Sequence, residues 1–225
     1  MKRKITVAAV QMSIQPQQID VNLKKIEEMM RKIFTKKYCD LVVFPEYCIT
    51  ASDIVLDESS ESVRFFKRLA RQYKTFIVCG SFLKKIKNKY YNTSLLIDPK
   101  GKIILEYHKN NLWLTERENV TFGEKITSVN TPIGKIGIII CWDLTFPEIS
   151  RELARQGVDI ICCPSYWTKD DTGVLKRYIK DGESIITNTL CPARAIENEV
   201  LFIYANGAGE AKFIKKQKEW SGEFT

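Results

Sequence analysis

Residues Gly134 to Glu148 read GKIGIIICWDLTFPE. The stretch opens on a glycine turn and runs through Ile136 to Ile140 with almost unbroken aliphatic character. Cys141, Trp142 and Asp143 follow, then a Phe-Pro-Glu that leads into an amphipathic run from Ile149 to Gln156. A short apolar run bounded by a turn and followed by helical periodicity is the pattern of a buried strand entering a helix. Pro147 suits a first helical position, and Gly157 suits the stop after the last turn. Cys141 therefore stands where an α/β strand ends, which is where open sheets place ligands and chemistry. An isolated cysteine in such a run is ordinarily a packing residue, so its meaning depends on what else the fold brings to it.

Working outward, the same alternation recurs. Ile5 to Met12 reads as a first strand. Asp20 to Lys37 reads as a helix with Leu23, Ile26, Met29, Met30, Ile33 and Phe34 on one stripe and Asp20 as its N-cap. Leu41 to Phe44 is a short aliphatic strand that stops at Pro45-Glu46-Tyr47. A second amphipathic helix is expected near Glu61 to Lys74, and a strand over Thr75 to Phe82. Tyr90 to Ile97 and Lys102 to Tyr107 are joined by Asp98-Pro99-Lys100-Gly101, whose turn chemistry marks a hairpin. A weak strand at Ile126 to Asn130 precedes the central one. After its helix come a buried strand from Val158 to Cys163, ending in Pro164-Ser165-Tyr166-Trp167, and a polar loop. A helix around Asn188 to Asn198 and a strand from Val200 to Ala205 complete the series. Strands alternating with helices, plus a hairpin, predict a mixed α/β sheet or pair of sheets with helices outside. With no linker, repeat or low-complexity tract, residues 1–225 read as a single domain.

Composition narrows the function classes. The seven cysteines are odd in number and scattered through apolar runs, which points to reduced thiols and a cytoplasmic setting. There is no CxxC pair and the only histidine is His108, so no metal site is expected. The opening MKRKITVAAVQM lacks a small-residue cleavage site and reads as a strand, and no stretch is long and apolar enough to span a membrane. The net charge of +8 is partly concentrated in Lys84, Lys85, Lys87 and Lys89 and in Lys215, Lys216 and Lys218. These runs lack interleaved aromatics on a nucleic-acid module, so they read as solvated surface rather than a phosphate track.

Three polar residues share one topological feature: Glu46, Lys109 and Cys141 each follow a strand. A cysteine nucleophile works as its thiolate and needs a base or a positive neighbour. His108 alternates with Lys109 along its strand, so the two side chains point to opposite faces and a Cys-His dyad is weak. A carboxylate raised in pKa by burial is the other base available, with a lysine supplying charge.

The stretches FPEY (Phe44 to Tyr47), YHKNNLWLTE (Tyr107 to Glu116) and ICWDLTFPE (Ile140 to Glu148) resemble the three motifs of the nitrilase superfamily of carbon–nitrogen hydrolases. RAIEN (Arg194 to Asn198) with Asn206 is similar to the family's later helix-then-strand signature. The resemblance implies a four-layer αββα sandwich and catalytic roles for Glu46, Lys109 and Cys141, with Glu116 as a second carboxylate. It implies a thiol hydrolase that cleaves a small-molecule amide or related C–N bond with no cofactor and no metal, in a homodimer or higher homo-oligomer. Tyr47, Trp142, Tyr166 and Trp167 follow strand ends and are expected to line the substrate pocket. The family ordinarily continues into further strands and a tail beyond Thr225. The sandwich is accordingly expected in a C-terminally truncated form, with Leu201 to Tyr204 on an exposed sheet edge. A catalytically inert nitrilase-fold module acting in binding or assembly is the alternative reading.

Overall fold

The structure, a computed structural model, describes residues 4–169, 178–179, 181–215 and 218–225. In chain order the elements are β1 (Val7–Ala9), α1 (Ile19–Lys36), β2 (Leu41–Val43), α2 (Glu61–Tyr73), β3 (Phe76–Val78), β4 (Phe82–Ile86), β5 (Lys89–Ile97) and β6 (Ile103–His108). They continue with β7 (Ser128–Thr131), β8 (Gly134–Ile138), α3 (Pro147–Arg155), β9 (Ile160–Pro164), α4 (Gly182–Asn198), β10 (Leu201–Ala205), β11 (Glu210–Lys215) and β12 (Lys218–Glu223).

Two sheets carry the fold. The first orders β1-β2-β3-β5-β4, with β6 also on β5; β1, β2 and β3 run parallel and the β5 pairings are antiparallel. The second orders β10-β9-β8-β7, parallel except at β7. Side-chain alternation explains how they stack. Along β2, Val42 joins a cluster with Leu23, Ile26 and Met30 of α1 and Val63, Phe66 and Leu69 of α2. Leu41 and Val43 on the opposite face join Ile136, Ile138, Ile160 and Ile203 of the second sheet. A period of two thus gives each strand of the first sheet one helix-facing and one sheet-facing row. Val63, Phe66 and Leu69 are fully buried, worth about 1.5–3 kcal/mol each. On the far side α3 packs on β8, where a Cβ at Gly137 would lie 2.7 Å from the Leu153 side chain. The layers are therefore helix, sheet, sheet, helix: the expected αββα sandwich.

Several local readings are corrected. Asp20 lies in the first turn of α1, not at its cap; Gln18 holds that position without a side-chain bond. The strand expected over Thr75 to Phe82 is broken at Gly80, whose φ of +70° a side chain rarely adopts. A Cβ there would also collide with the Pro45 carbonyl. The lysine run 84–89 lies on a second hairpin, β4 against β5, with Lys84 opposite Tyr91; Lys85, Lys87 and Lys89 are exposed as expected, and Lys84 is the exception. Lys84 is only 14% exposed because it donates to Glu58 and Glu106. In the other basic run, Lys216 lies outside the described residues, and Lys215 and Lys218 belong to β11 and β12. Of the polar loop after Trp167, residues 170–177 and 180 lie outside the described residues. α4 begins at Gly182, six residues before the expected Asn188, because buried Glu183 accepts a bond from Trp167 Nε1 at 2.8 Å and fixes the first turn. Tertiary anchoring overrides the weak propensity of its β-branched residues.

The sequence pattern assigns no element after Ala205. The segment after Asn206 forms the antiparallel hairpin β11–β12, tied back where Asn206 Nδ2 donates to the Thr225 hydroxyl at 3.0 Å and to the Trp167 carbonyl at 2.9 Å. Phe213 and Phe224 pack edge-on against Tyr166. β10 remains the outer strand of its sheet, with Leu201 41% exposed and Ile203 buried.

Candidate active site

Glu46, Lys109 and Cys141 each follow a strand, and sheet pairing brings those ends together. Glu46 follows β2 in a tight turn whose Tyr47 has φ +52°. Glu46 N–H donates to the Ser165 carbonyl, and Tyr47 N–H to that of Ser81. Gly80 lets this turn close against β3 without steric conflict. Lys109 follows β6 and is 2% exposed. Cys141 opens a 3-10 turn at the end of β8 with φ +47°. A left-handed non-glycine residue there costs of order 1 kcal/mol or more and is held only because its surroundings over-determine it.

Those surroundings centre on Asp143. Its Oδ2 accepts from Ile140 N–H at 3.0 Å and from the Tyr107 hydroxyl at 2.7 Å. Its Oδ1 accepts from Asn111 N–H at 2.7 Å and Asn111 Nδ2 at 3.1 Å. One carboxylate thus ties the turn carrying Cys141 to the strand and loop on either side of Lys109. Burial pushes its pKa up to about 6, against the donors that favour the charge. Asp143 thus caps the 3-10 turn and also braces two catalytic elements.

Glu46, Lys109, Glu116 and Cys141 line one cavity of about 460 Å³. Lys109 Nζ lies 3.1 Å from Glu46 Oε1 and 2.7 Å from Glu116 Oε2. Glu46 Oε2 accepts from Tyr166 N–H at 2.8 Å, and the Glu46 carboxyl shares a hydrogen bond with the Cys141 side chain. Asn92, inside β5, donates through Nδ2 to both Glu46 Oε1 (2.7 Å) and Glu116 Oε1 (2.8 Å). Trp113 N–H fixes the other Glu116 oxygen at 2.9 Å.

The electrostatics follow from burial. Loss of solvent raises the Glu46 pKa; Lys109 opposes the rise and Glu116 adds to it. The same burial works against the Lys109 charge, yet Glu116 and Glu46 outweigh it and hold the ammonium well above the ordinary lysine range. Burial, then Glu116 and Glu46, keep the Tyr47 phenol protonated. The result is a carboxyl poised to exchange a proton with a thiol, beside a fixed positive charge. Among the described residues no group of three or more His, Cys, Asp or Glu is arranged to hold a metal ion. No helix among them is long and apolar enough to cross a membrane.

Of the aromatic residues expected around the pocket, Tyr47 and Tyr166 line it. Trp142 and Trp167 do not, and that expectation is corrected. Trp167 is fully buried, with its indole N–H bonded to Glu183, and Trp142 packs against it at 5.2 Å. Both residues follow a strand end, but Trp167 turns into the core and the half-buried Trp142 packs on it. Arg194 bonds the Leu144 carbonyl and Glu197, a structural clamp on the 3-10 turn. Asn92 and the Tyr166 N–H went unassigned in the sequence. The available signal for Asn92 was its place inside a strand, where asparagine is depleted.

The carbon-nitrogen hydrolase family matches residues 6–223. The chain belongs to that family. It is a carbon–nitrogen hydrolase, an enzyme of the amidase-like branch of the nitrilase superfamily. The chain is 30% identical to a deaminated glutathione amidase of Dictyostelium discoideum, over 84% of this chain and 69% of that protein. It is also 30% identical to the omega-amidase Nit3 of Saccharomyces cerevisiae, over 92% of this chain and 75% of that protein. The solved structure of Saccharomyces cerevisiae Nit3 superposes with a TM-score of 0.78 at 25% identity, covering 98% of this chain and 87% of that one. An amidase from Nesterenkonia sp. shares the fold, with a TM-score of 0.73 at 21% identity over 93% of this hydrolase and 78% of the amidase.

Proposed function

We propose that this hydrolase cleaves the C–N bond of a small amide through a thioester on Cys141. The observation that carries the reading is the convergence of Cys141, Glu46, Lys109 and Glu116 in one cavity. Glu46 takes the thiol proton, and the thiolate adds to the amide carbon. Lys109 and the Trp142 backbone N–H hold the developing oxyanion. Glu46 then gives its proton to the leaving nitrogen, the C–N bond breaks, and ammonia or an amine departs, leaving a thioester. Water, deprotonated by Glu46 with Glu116 in support, adds to that thioester; the thiolate leaves and recovers a proton as the acid is released. Asn92 holds the two carboxylates in register throughout. Tyr47 and Tyr166 contact the substrate, and the names of the relatives favour an amide over a nitrile.

The same reading places the enzyme in the cytoplasm, as one domain, in a homodimer or higher homo-oligomer. In support, all seven cysteines are free, and Ile185 and Ile196 of α4 and Leu201 of β10 are exposed apolar side chains. The test is a screen of primary amides and carbamoyl amines for ammonia release, with intact-mass detection of an acyl adduct on Cys141. Turnover should vanish in Cys141→Ala while the fold persists at a cost of about 1–2 kcal/mol. Ammonia release retained by that variant would refute the mechanism.

A further inference from the structure

The cavity is far larger than the amide group that Cys141 and Lys109 engage, so most of its wall meets the acyl substituent. That wall is built from Tyr47, Trp113, Tyr166, Phe213, Val55 and Leu83. The two tyrosines present rings rather than polar tips. Tyr47 directs its hydroxyl to Glu116 at 3.4 Å, and Tyr166 directs its hydroxyl to the Lys212 carbonyl at 2.6 Å. Phe213 of β11 lies edge-on to both, at 5.1 Å and 5.7 Å, so the terminal hairpin closes one side with an aromatic face.

The charged groups around the cavity are unevenly signed. Glu46, Glu116 and Asp53 line it as carboxylates, and Lys109 lines it as a cation. Lys109 is shared between two of those carboxylates, at 3.1 Å and 2.7 Å. A carboxylate on the acyl substituent would be stripped of water beside like charges, with the ammonium already engaged. An aliphatic or aromatic substituent would instead bury apolar area against rings and branched side chains.

Resting on the amide-hydrolase reading, we propose that this site selects amides with uncharged apolar acyl groups and discriminates against those whose acyl chain ends in a carboxylate. Phe213, Tyr47 and Tyr166 are the residues assigned to that selection.

The test compares hexanamide with adipamate, a matched pair of equal chain length in which only the second bears a terminal carboxylate. Two readouts are taken: kcat/KM on the wild-type enzyme, and binding of each uncleaved amide to Cys141→Ala by calorimetry. Hexanamide is expected to exceed adipamate by at least about tenfold in both. Val55 is 40% exposed at the rim, so Val55→Lys places a cation there without entering the core. It should raise adipamate relative to hexanamide by about tenfold in both readouts. Equal or preferential binding and turnover of adipamate by the wild type would overturn the inference, as would a Val55→Lys ratio that does not move. Absent turnover with the binding preference intact would overturn the hydrolase reading and leave the pocket's preference standing.

Discussion

Replacing Lys109 with methionine tests how the buried charges of the site are balanced. The ammonium lies 2.7 Å from Glu116 and 3.1 Å from Glu46, and both Lys109 and Glu46 are 2% exposed. At an effective dielectric near 20, each contact supplies roughly 5–6 kcal/mol of attraction before desolvation is subtracted. Methionine keeps the length and apolar stem of the side chain, so little is lost in packing. What remains is a pair of buried carboxylates without a counter-charge, and breaking such a pair costs about 3–5 kcal/mol. The cost depends on pH in a definite direction. Burial already raises Glu46 above its ordinary value, and Lys109 is the group that restrains the rise; without it the shift grows. A carboxyl whose folded pKa exceeds its unfolded pKa contributes its full stability below the unfolded value and loses it as pH climbs through the folded value. The deficit of Lys109→Met relative to wild type should therefore be small near pH ~5 and approach 3–5 kcal/mol near pH ~8. Urea unfolding followed by tryptophan fluorescence at both pH values measures it. A deficit under about 1 kcal/mol in alkali, or one that shrinks as pH rises, would refute the charge-balance argument.

Glu46→Gln preserves shape but cannot accept the thiol proton, so single-turnover acylation should fall about 10²-fold or more; unchanged burst kinetics would remove Glu46 as the base. Asp143→Asn should lower kcat, because an amide accepts through one oxygen only and its NH2 end would face either the Ile140 and Tyr107 donors or those of Asn111; an unaltered kcat would separate Asp143 from the placement of Cys141. The same variant has a pH signature. Asp143 is raised from 3.8 to about 6, so the wild type loses up to about 3 kcal/mol as pH climbs from about 4 through 6. Asparagine does not titrate, so the stability difference between the variant and wild type should shift toward the variant over that window in paired urea melts. A difference flat with pH would contradict the raised Asp143.

The strand-to-helix passage at Gly134 to Glu148 was legible because its signals are local: an aliphatic run, a proline at the first helical position and a glycine at the stop. The aliphatic run at β2 and the stripe on α1 likewise announced a buried strand and a helix with one apolar face, while the four-layer sandwich was implied only by the family resemblance. Glu46, Lys109 and Cys141 could be picked out as residues that end strands and match family motifs. Sequence alone could not bring them together, because their separation is set by which strands pair and how the two sheets stack. The left-handed Cys141, the Asp143 brace and the Asn92 bridge depend on partners 24 to 46 positions away. The inward turn of Trp167 onto Glu183, 16 positions on, is likewise announced by no local pattern. The β4–β5 hairpin hid beneath lysines whose charge read as solvated surface, since Lys84 meets Glu58 and Glu106 only once β4, β5 and β6 are side by side. The hairpin after Asn206 has little apolar periodicity, and Phe213 gains its place from rings contributed by Tyr47 and Tyr166. Hydrophobic period and turn chemistry act over a few residues and can be read from the chain. Charge compensation and aromatic closure act across the assembled core, and only the tertiary structure decides them.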